Sequence, residues 1–368
     1  MIAPFRADHV GSFLRPQRLK EAREKKDRGE LSAADLRAVE DECIREVVAM
    51  QESVGLQSIS DGEFRRTSFH MDFLLKLEGV TTGQVRFATG ATTTTRGTIP
   101  QILTEKKLKR VSGIATDEFK YLKSVTKRTP KITMPSPSML HFRGGRDAVD
   151  RTAYPDMDAF YADLVRIWKE EIAELGALGC RYVQLDDTNL AYLCDPSHRA
   201  RAKDRGEDPD ALTHLYAKLI TQVYSGRPGD MAATIHLCRG NFQSTWMAEG
   251  GYDPVAEIMF QETDIDGFFL EYDDERSGGF APLRFLPKGN KRVVLGLISS
   301  KKGALESESL LKSRIDEASK FVPLDQLCLS PQCGFSSTVH GNKLTIDEEK
   351  RKLELLVKVA SDVWGTAA

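Results

Sequence analysis

The stretch FYADLVRIWKEEIAELGALGCRYVQLDD, residues 160–187, decides the fold, because it reads as a long helix that leads directly into a short strand. The same order returns at LTHLYAKLITQVYSG followed by MAATIHLC. It is also present in LSAADLRAVEDECIREVVAMQESVG followed by LQSISDGEF, where Ser32 is a candidate N-cap and Gly55 a candidate C-cap. Repeated helix and strand units predict a parallel α/β fold.

Eight segments qualify as strands. They are PFRADH, LQSISD, KITMPS, RYVQLD, ATIHLC, GFFLEY, VVLGLI and LCLSPQ. This number predicts a closed (β/α)₈ TIM barrel, and we expect a single domain over residues 1–368. An open doubly wound sheet is the alternative, because periodicity does not show closure. The glycine fingerprint that would favour dinucleotide binding is missing.

Residues 80–129 interrupt the alternation of helices and strands. The segment TTGQVRFATGATTTTRGTIPQ within them is rich in Thr and Gly and alternates as a hairpin does. We expect an irregular or hairpin excursion over one face of the barrel rather than a second domain.

The composition excludes several classes of function. The chain has 368 residues, of which 40% are hydrophobic and 29% charged, as in an ordinary globular protein. A formal net charge of −2 disfavours binding to nucleic acid or to anionic membranes. The start MIAPFRADHVGSF does not resemble a signal peptide, and no apolar run of 18 residues occurs, so we expect a cytoplasmic protein. The oligomeric state stays open, a homo-oligomer included.

The carboxyl ends of the predicted strands are unusually polar. They carry His9, Ser12, Asp61, Glu63, Ser136, Ser138, Asp186, Asp187, His236, Cys238, Glu271, Ser299 and Cys333. In a barrel of this type the loops at these ends converge over the mouth, where the chemistry takes place.

A metal site is one interpretation of these residues. His236 and Cys238 are two positions apart on a strand, so both side chains point to the same face. Zinc takes about four ligands from thiolate, imidazole and carboxylate, and Glu271 and Cys333 would complete such a set from other strand ends. A catalytic site needs an exchangeable position, and we expect the carboxylate of Glu271 to be the ligand that yields to substrate.

Other interpretations stay open. A short H-x-C pattern alone is more typical of core packing, Cys333 could be a buried thiol, and Glu271 could pair with Arg276 or Arg292. The joint placement at strand ends favours the metal site. Of the other cysteines, burial is expected for Cys43, Cys180 and Cys328, while Cys194 could be either buried or a ligand.

The chain resembles the cobalamin-independent methionine synthase family, specifically its C-terminal catalytic barrel. The resemblance rests on RADHVGSF, SDGEFRR, VQLDD, IHLC, LEYDD and SPQCGF, in that order. It implies a zinc ion that activates the thiol of homocysteine, with the ligands His236, Cys238, Glu271 and Cys333. It further implies that Ser12 binds the substrate carboxylate and that Glu63 and Asp186 bind its ammonium group.

Two departures from the family concern the methyl donor. The resemblance places a pterin-stacking tryptophan where this chain has Phe142, and a proton-donating histidine where it has Ser299. Full-length members also have an N-terminal barrel that helps to hold a polyglutamylated folate, for which these 368 residues leave no room. We therefore expect a donor other than polyglutamyl methylfolate, such as a methylated corrinoid or a small methylated metabolite. His9, His70 and His141 could replace the proton donor, and each is equally typical of an ordinary hydrogen-bonded histidine.

Three alternatives compete with the methyltransferase. Zinc enzymes that open epoxides with coenzyme M transfer an alkyl group to a sulfonate-bearing thiol, whereas Glu63 and Asp186 favour a thiol that bears an amino group. Metal-free decarboxylases with a similar barrel are disfavoured by the two cysteines of the proposed site. A protein that only binds zinc or a corrinoid would have a closed metal site without an exchangeable position.

Overall fold

The structure is a computed structural model that describes residues 3–85, 99–240 and 247–368. The α-helices are α1 Gln17–Asp27, α2 Ala33–Ser53, α3 Met71–Leu74, α4 Thr116–Val125, α5 Met157–Ala177, α6 Asn189–Tyr192, α7 Pro196–Asp204, α8 Pro209–Tyr224, α9 Asp253–Glu262, α10 Glu308–Ala318 and α11 Ile346–Trp364. The strands are β1 Ser58–Ile59, β2 Glu78–Val85, β3 Ile99–Lys109, β4 Thr129–Pro130, β5 Ile132–Pro135, β6 Tyr182–Asp187, β7 Ala232–Leu237, β8 Gly267–Glu271, β9 Arg292–Ile298 and β10 Leu327–Pro331. No helix in these ranges is both long and apolar enough to cross a membrane.

Six strands form one parallel sheet in which β5 to β10 lie side by side in sequence order. Helices α5, α8 and α9 connect the first four of these strands, and α10 connects β9 to β10. Between β8 and β9 the connection contains the short 3₁₀ helix Ala281–Phe285 instead. The predicted parallel α/β fold is confirmed.

The two remaining strand candidates extend this sheet less regularly. Strand β1 pairs in parallel with β4, and only Lys131 separates β4 from β5. The first candidate forms a single parallel bridge, between Ala7 and Leu329 of β10. It also contacts β1, where His9 Nε2 lies 3.0 Å from the carbonyl oxygen of Ser58. Closure of the eight segments into a barrel stays a prediction.

The excursion is shorter than the sequence predicts. Strands β2 and β3 form an antiparallel hairpin in which Glu78 lies opposite Lys109, while residues 86–98 of the predicted excursion lie outside the described residues. Residues 116–125 form the regular helix α4 with Phe119 and Leu122 buried. This helix packs against α2 and α5, so it belongs to the outer layer of helices rather than to the excursion.

A buried polar network fixes the first segment inside the sheet. Asp8 accepts hydrogen bonds from the hydroxyls of Ser58 and Tyr182, both at 2.7 Å, and pairs with Lys131 Nζ at 3.2 Å. Both members of this ion pair are fully buried. A buried ion pair is tolerated when its remaining donors and acceptors are satisfied, as they are here by neighbouring strands. The network therefore places the start of the chain against β1, β5 and β6.

Helix α11 supports the loop that follows this first segment. The carboxylate of Glu349 accepts the backbone N–H of Leu14 at 3.1 Å, two residues after Ser12. Glu349 is 1% exposed, and burial raises its pKa from 4.5 to about 8. The carboxyl is therefore protonated over much of the neutral range in the folded state.

We expect Glu349→Gln to stabilise the protein increasingly as the pH rises from 5 to 8. Between 4.5 and about 8 the folded state binds a proton that the unfolded state has released, so the free energy of unfolding of the native chain falls as pH rises. The amide keeps the acceptor without titrating. Chemical denaturation at several pH values measures the difference, on the order of 3 kcal/mol over this range.

The control is Glu354→Gln, which makes the same substitution at an exposed carboxylate of the same helix. A pH-independent difference between Glu349→Gln and the native chain would contradict the raised pKa.

Candidate metal and substrate site

Polar side chains meet at the carboxyl ends of β6, β7 and β8. Strand pairing places Asp186 beside His236, and His236 beside Phe269, two residues before Glu271. Cys238 follows β7 directly, and its backbone N–H donates to the carbonyl of Asp187 at 2.7 Å. Carboxyl ends of parallel strands are the usual place for ligand binding in α/β folds.

Four side chains with metal-ligating atoms come together here. They are His236, Cys238, Glu271 and Cys333, and their ligand atoms lie within 4.8 Å of one another. All four side chains are buried, and the two sulfur atoms are 3.5 Å apart. The structure thus gathers the four residues that the sequence analysis selected for a metal.

The chemistry of this donor set fits Zn²⁺. One imidazole, two thiols and one carboxylate are the groups that zinc selects, in the usual number. Neither ring nitrogen of His236 has a nitrogen or oxygen partner among the described residues, and its polar neighbour is the thiol of Cys238. A buried imidazole without such a partner is unfavourable unless a ligand satisfies it.

Without a cation, Glu271 and Cys333 release their protons less readily than free side chains do. Burial and the neighbouring Cys238 thiol raise the pKa of Glu271 to about 7. A hydrogen bond with Cys238, together with burial, raises the pKa of Cys333 well above its ordinary value. Metal ligands must be deprotonated, so binding of a cation would release these protons and would weaken as the pH falls.

Glu271 is also an ion-pair partner, as the alternative interpretation expects. Its Oε2 lies 2.9 Å from Nη2 of Arg276, and its Oε1 accepts the backbone N–H of Arg239 at 2.7 Å. Arg292 instead donates to the carbonyl of Pro4. The ion pair and the ligand cluster coexist, because a carboxylate can accept several bonds.

A group of buried carboxylates, Glu63 and Asp186, lies beside the cluster and is called the acidic pocket below. Glu63 is 3% exposed and has left-handed backbone geometry, with φ of 59°. Its Oε1 accepts a hydrogen bond from Thr133 at 2.8 Å, whereas its Oε2 has no partner among the described residues. A buried carboxylate oxygen without a partner indicates a missing donor, and an ammonium group would supply one.

Asp186 lies in this pocket and is also the strand partner of His236. It accepts a hydrogen bond from Gln184 Nε2 at 2.7 Å. Burial and the nearby charge of Glu63 raise its pKa to about 7. The two carboxylates therefore repel each other, and a bound cation would relieve that repulsion.

Ser12 contacts the segment that directly follows Cys333. Its backbone carbonyl accepts from Phe335 at 3.0 Å, and a Cβ atom added to Gly334 would lie 1.9 Å from its hydroxyl oxygen. Only glycine fits at position 334, so the chain that carries Cys333 can approach Ser12 closely.

The sequence predicts no role for two further residues near the pocket, Asp61 and Arg66. Asp61, whose Oδ2 has no partner in the described ranges, has its pKa raised to about 6 by burial and by Glu118. Arg66 pairs with Glu118 at 2.9 Å and lies 3.7 Å from Glu63. The charged run SDGEFRR at a strand end was the available signal.

The residues that the sequence analysis relates to the methyl donor make ordinary structural contacts. Phe142 is 4% exposed and packs against Tyr192 and Tyr216, with ring centroids 6.0 and 6.2 Å away. The backbone N–H of Ser299 donates to Glu306. The ring nitrogens of His141 lie 2.9 Å from the hydroxyl of Tyr216 and 3.0 Å from that of Tyr161.

Comparisons with known proteins find similar sequences and a similar fold over nearly the whole chain. The sequence pattern of the family described as "Cobalamin-independent synthase, Catalytic domain" matches residues 5–362. The uncharacterized protein YxjH of Bacillus subtilis is 44% identical over 367 residues, which cover 98% of this chain and 95% of that protein. The methionine synthase of Pyrococcus furiosus is 24% identical over 329 residues, which cover 88% of this chain and 84% of that protein.

A solved structure from Listeria monocytogenes, named as a candidate vitamin-B12-independent methionine synthase, is also similar. Its TM-score is 0.80 at 40% sequence identity, and the match covers 99% of both chains. The similarities therefore extend over nearly the whole chain.

We expect Cys238→Ser and Cys333→Ser to lower zinc affinity at least about ten-fold, because each removes one of the two thiolates from the ligand set. Elemental analysis of protein dialysed against limiting zinc measures the bound metal. Cys43→Ser is the matched control, since Cys43 is buried in α2 and accepts from Arg18 at 3.3 Å. Full zinc content in both site variants would place the metal elsewhere.

Proposed function

The chain belongs to the family of cobalamin-independent synthase catalytic domains, as the sequence resemblance predicts, and on that premise we propose that it is a zinc-dependent S-methyltransferase. The proposed acceptor is the thiol of homocysteine, which would give methionine. The observation that carries the proposal is the buried cluster of His236, Cys238, Glu271 and Cys333 directly beside a pocket of carboxylates.

The cluster provides the reason for a metal. Bound by these four side chains, Zn²⁺ would supply the Lewis acidity that keeps a substrate thiol deprotonated at neutral pH, where a free thiol with a pKa of about 8.5 is mostly protonated. Cys238 and Cys333 contribute negative charge that keeps a bound thiolate nucleophilic. Glu271 is the proposed exchangeable ligand. Burial of all four side chains excludes water from their surroundings.

The acidic pocket determines the proposed acceptor. Glu63 and Asp186 would bind the substrate ammonium group, and Ser12 with its neighbouring backbone would bind the carboxylate. The unpartnered Oε2 of Glu63 supports this assignment. A sulfonate-bearing thiol would be repelled by the same carboxylates, which disfavours the alternative of alkyl transfer to coenzyme M.

The proposed donor differs from polyglutamyl methylfolate. The ring of Phe142 is enclosed by Tyr192 and Tyr216, so it offers no free face on which a pterin could stack. Methylfolate also needs protonation of its leaving nitrogen, and the hydroxyl of Ser299 is a poor general acid. A methylated corrinoid or a small methylated metabolite is the class of donor that we propose.

Mass spectrometry of the products tests the proposal. Zinc-loaded protein and homocysteine are incubated in parallel with methylcobalamin and with mono- and triglutamyl methylfolate. We expect methionine from methylcobalamin, no methionine from either folate, and none after Cys333→Ser. Methionine from a folate would contradict the donor assignment alone. Absence of methionine with all three donors would contradict the pairing of homocysteine with a methylated corrinoid and would leave a small methylated metabolite as the proposed donor.

We expect the preference for homocysteine over its deaminated analogue, 4-mercaptobutanoate, to rise about ten-fold between pH 6 and pH 8. Over this range Asp186, with its pKa of about 7, loses its proton and becomes able to pair with the ammonium group. Inhibition constants of the two thiols measure the preference, and using their ratio cancels the pH dependence of the thiol itself. Asp186→Asn should make the ratio independent of pH. A pH-dependent ratio in that variant would exclude Asp186 from ammonium binding.

A further inference from the structure

Protein groups hold both oxygens of Glu271. Oε1 accepts the backbone N–H of Arg239 at 2.7 Å, and Oε2 lies 2.9 Å from Nη2 of Arg276. The side chains of Glu271 and Arg276 are only 2% and 6% exposed. Each oxygen of Glu271 therefore has a protein partner without a metal, whereas His236 lacks a nitrogen or oxygen partner in the described part of the chain.

Arg276 divides its charge among three acids at this site, of which Glu271 is one. The same Nη2 atom lies 3.2 Å from Asp273 Oδ1, and Nε lies 2.9 Å from the more exposed Asp274. Asp273 in turn lies 2.6 Å from Nζ of Lys301. Since Glu271, Asp273 and Lys301 are all at most 5% exposed, these interactions are screened little by solvent.

We propose that Arg276 is a positioning residue that makes Glu271 the ligand that leaves the metal when a substrate thiol binds. This inference rests on the proposed function. A guanidinium on Oε2 lowers the electron density that the carboxylate can give to a metal, so the metal–oxygen bond is weaker. The guanidinium would also stay paired with the carboxylate after the carboxylate has left the metal. The displaced anion would therefore keep a partner of opposite charge in a buried site.

Asp273 acts in the opposite direction. It competes with Glu271 for one nitrogen of Arg276, and so it limits how strongly the guanidinium attracts Glu271. Without the charge of Asp273, Arg276 would pair more fully with Glu271. Changes at Arg276 and Asp273 should therefore have opposite effects on the metal, which general damage to the fold would not produce.

The test uses the full chain with Arg276→Met and Asp273→Asn. Zinc affinity is measured by competition with a chromophoric chelator, and thiol affinity by adding homocysteine to the Co²⁺-substituted protein and following the sulfur-to-cobalt absorption. For Arg276→Met we expect zinc to bind about ten-fold more tightly and homocysteine about ten-fold more weakly. For Asp273→Asn both changes should reverse sign. X-ray absorption should show that homocysteine displaces an oxygen ligand less completely in Arg276→Met.

Two controls separate this role from a structural one. Arg276→Lys keeps the charge and should restore most of the thiol affinity lost in Arg276→Met. Arg284→Met removes an exposed arginine that pairs with Asp253, and it should leave both affinities unchanged.

The outcomes distinguish the inference from the proposed function. Native protein that binds no metal, or whose cobalt spectrum does not respond to homocysteine, would overturn the proposed function and this inference with it. Normal binding by the native protein, combined with unchanged affinities in Arg276→Met or shifts of the same sign in Arg276→Met and Asp273→Asn, would overturn the inference alone.

Discussion

The parallel register between β6 and β7 is the constraint on which the site depends. It pairs Asp186 with His236, so a carboxylate of the acidic pocket lies next to a residue of the metal cluster. Side chains alternate along a strand, and a slip of one residue would turn His236 and Cys238 to the opposite face. The next register, between β7 and β8, brings Glu271 to the same edge. Backbone hydrogen bonds thus set the distance between the site that would activate a thiol and the pocket that would hold the rest of the substrate.

The site also concentrates buried charge that the protein does not fully compensate. Arg66 and Arg276 each pair with carboxylates, but Glu63 Oε2 and Asp61 Oδ2 have no partner within the described ranges. Buried polar atoms are almost always satisfied in proteins, so their grouping at one edge of the sheet is unfavourable for the empty fold. A metal and an ammonium group would bring positive charge to the cluster and to the acidic pocket, respectively. The same imbalance that destabilises the empty site would therefore favour its ligands.

The sequence predicted what depends on periodicity. His236 and Cys238 could be assigned to one face because a strand repeats every two residues, and the α/β alternation identified the sheet. The contacts of Phe142 could not be predicted, because they depend on Tyr192 and Tyr216 from other elements. The pairing of Arg276 with Glu271 was one of the alternatives that the sequence offered, whereas its sharing with Asp273 was not, because it depends on the short 3₁₀ turn Glu275–Ser277. The predicted excursion, residues 80–129, was too long, because it included the regular helix α4. The Thr- and Gly-rich composition of its first part gave no sign of where that helix begins.

The contact between Leu14 and Glu349 has a consequence for biosynthesis. The two residues are 335 positions apart in the chain, so a ribosome adds Glu349 long after the loop that carries Ser12 has left the exit tunnel. Until α11 folds, the backbone N–H of Leu14 lacks its carboxylate partner. Assembly of the loop that carries Ser12 would therefore depend on the folding of α11, a helix that contributes no residue to the metal cluster.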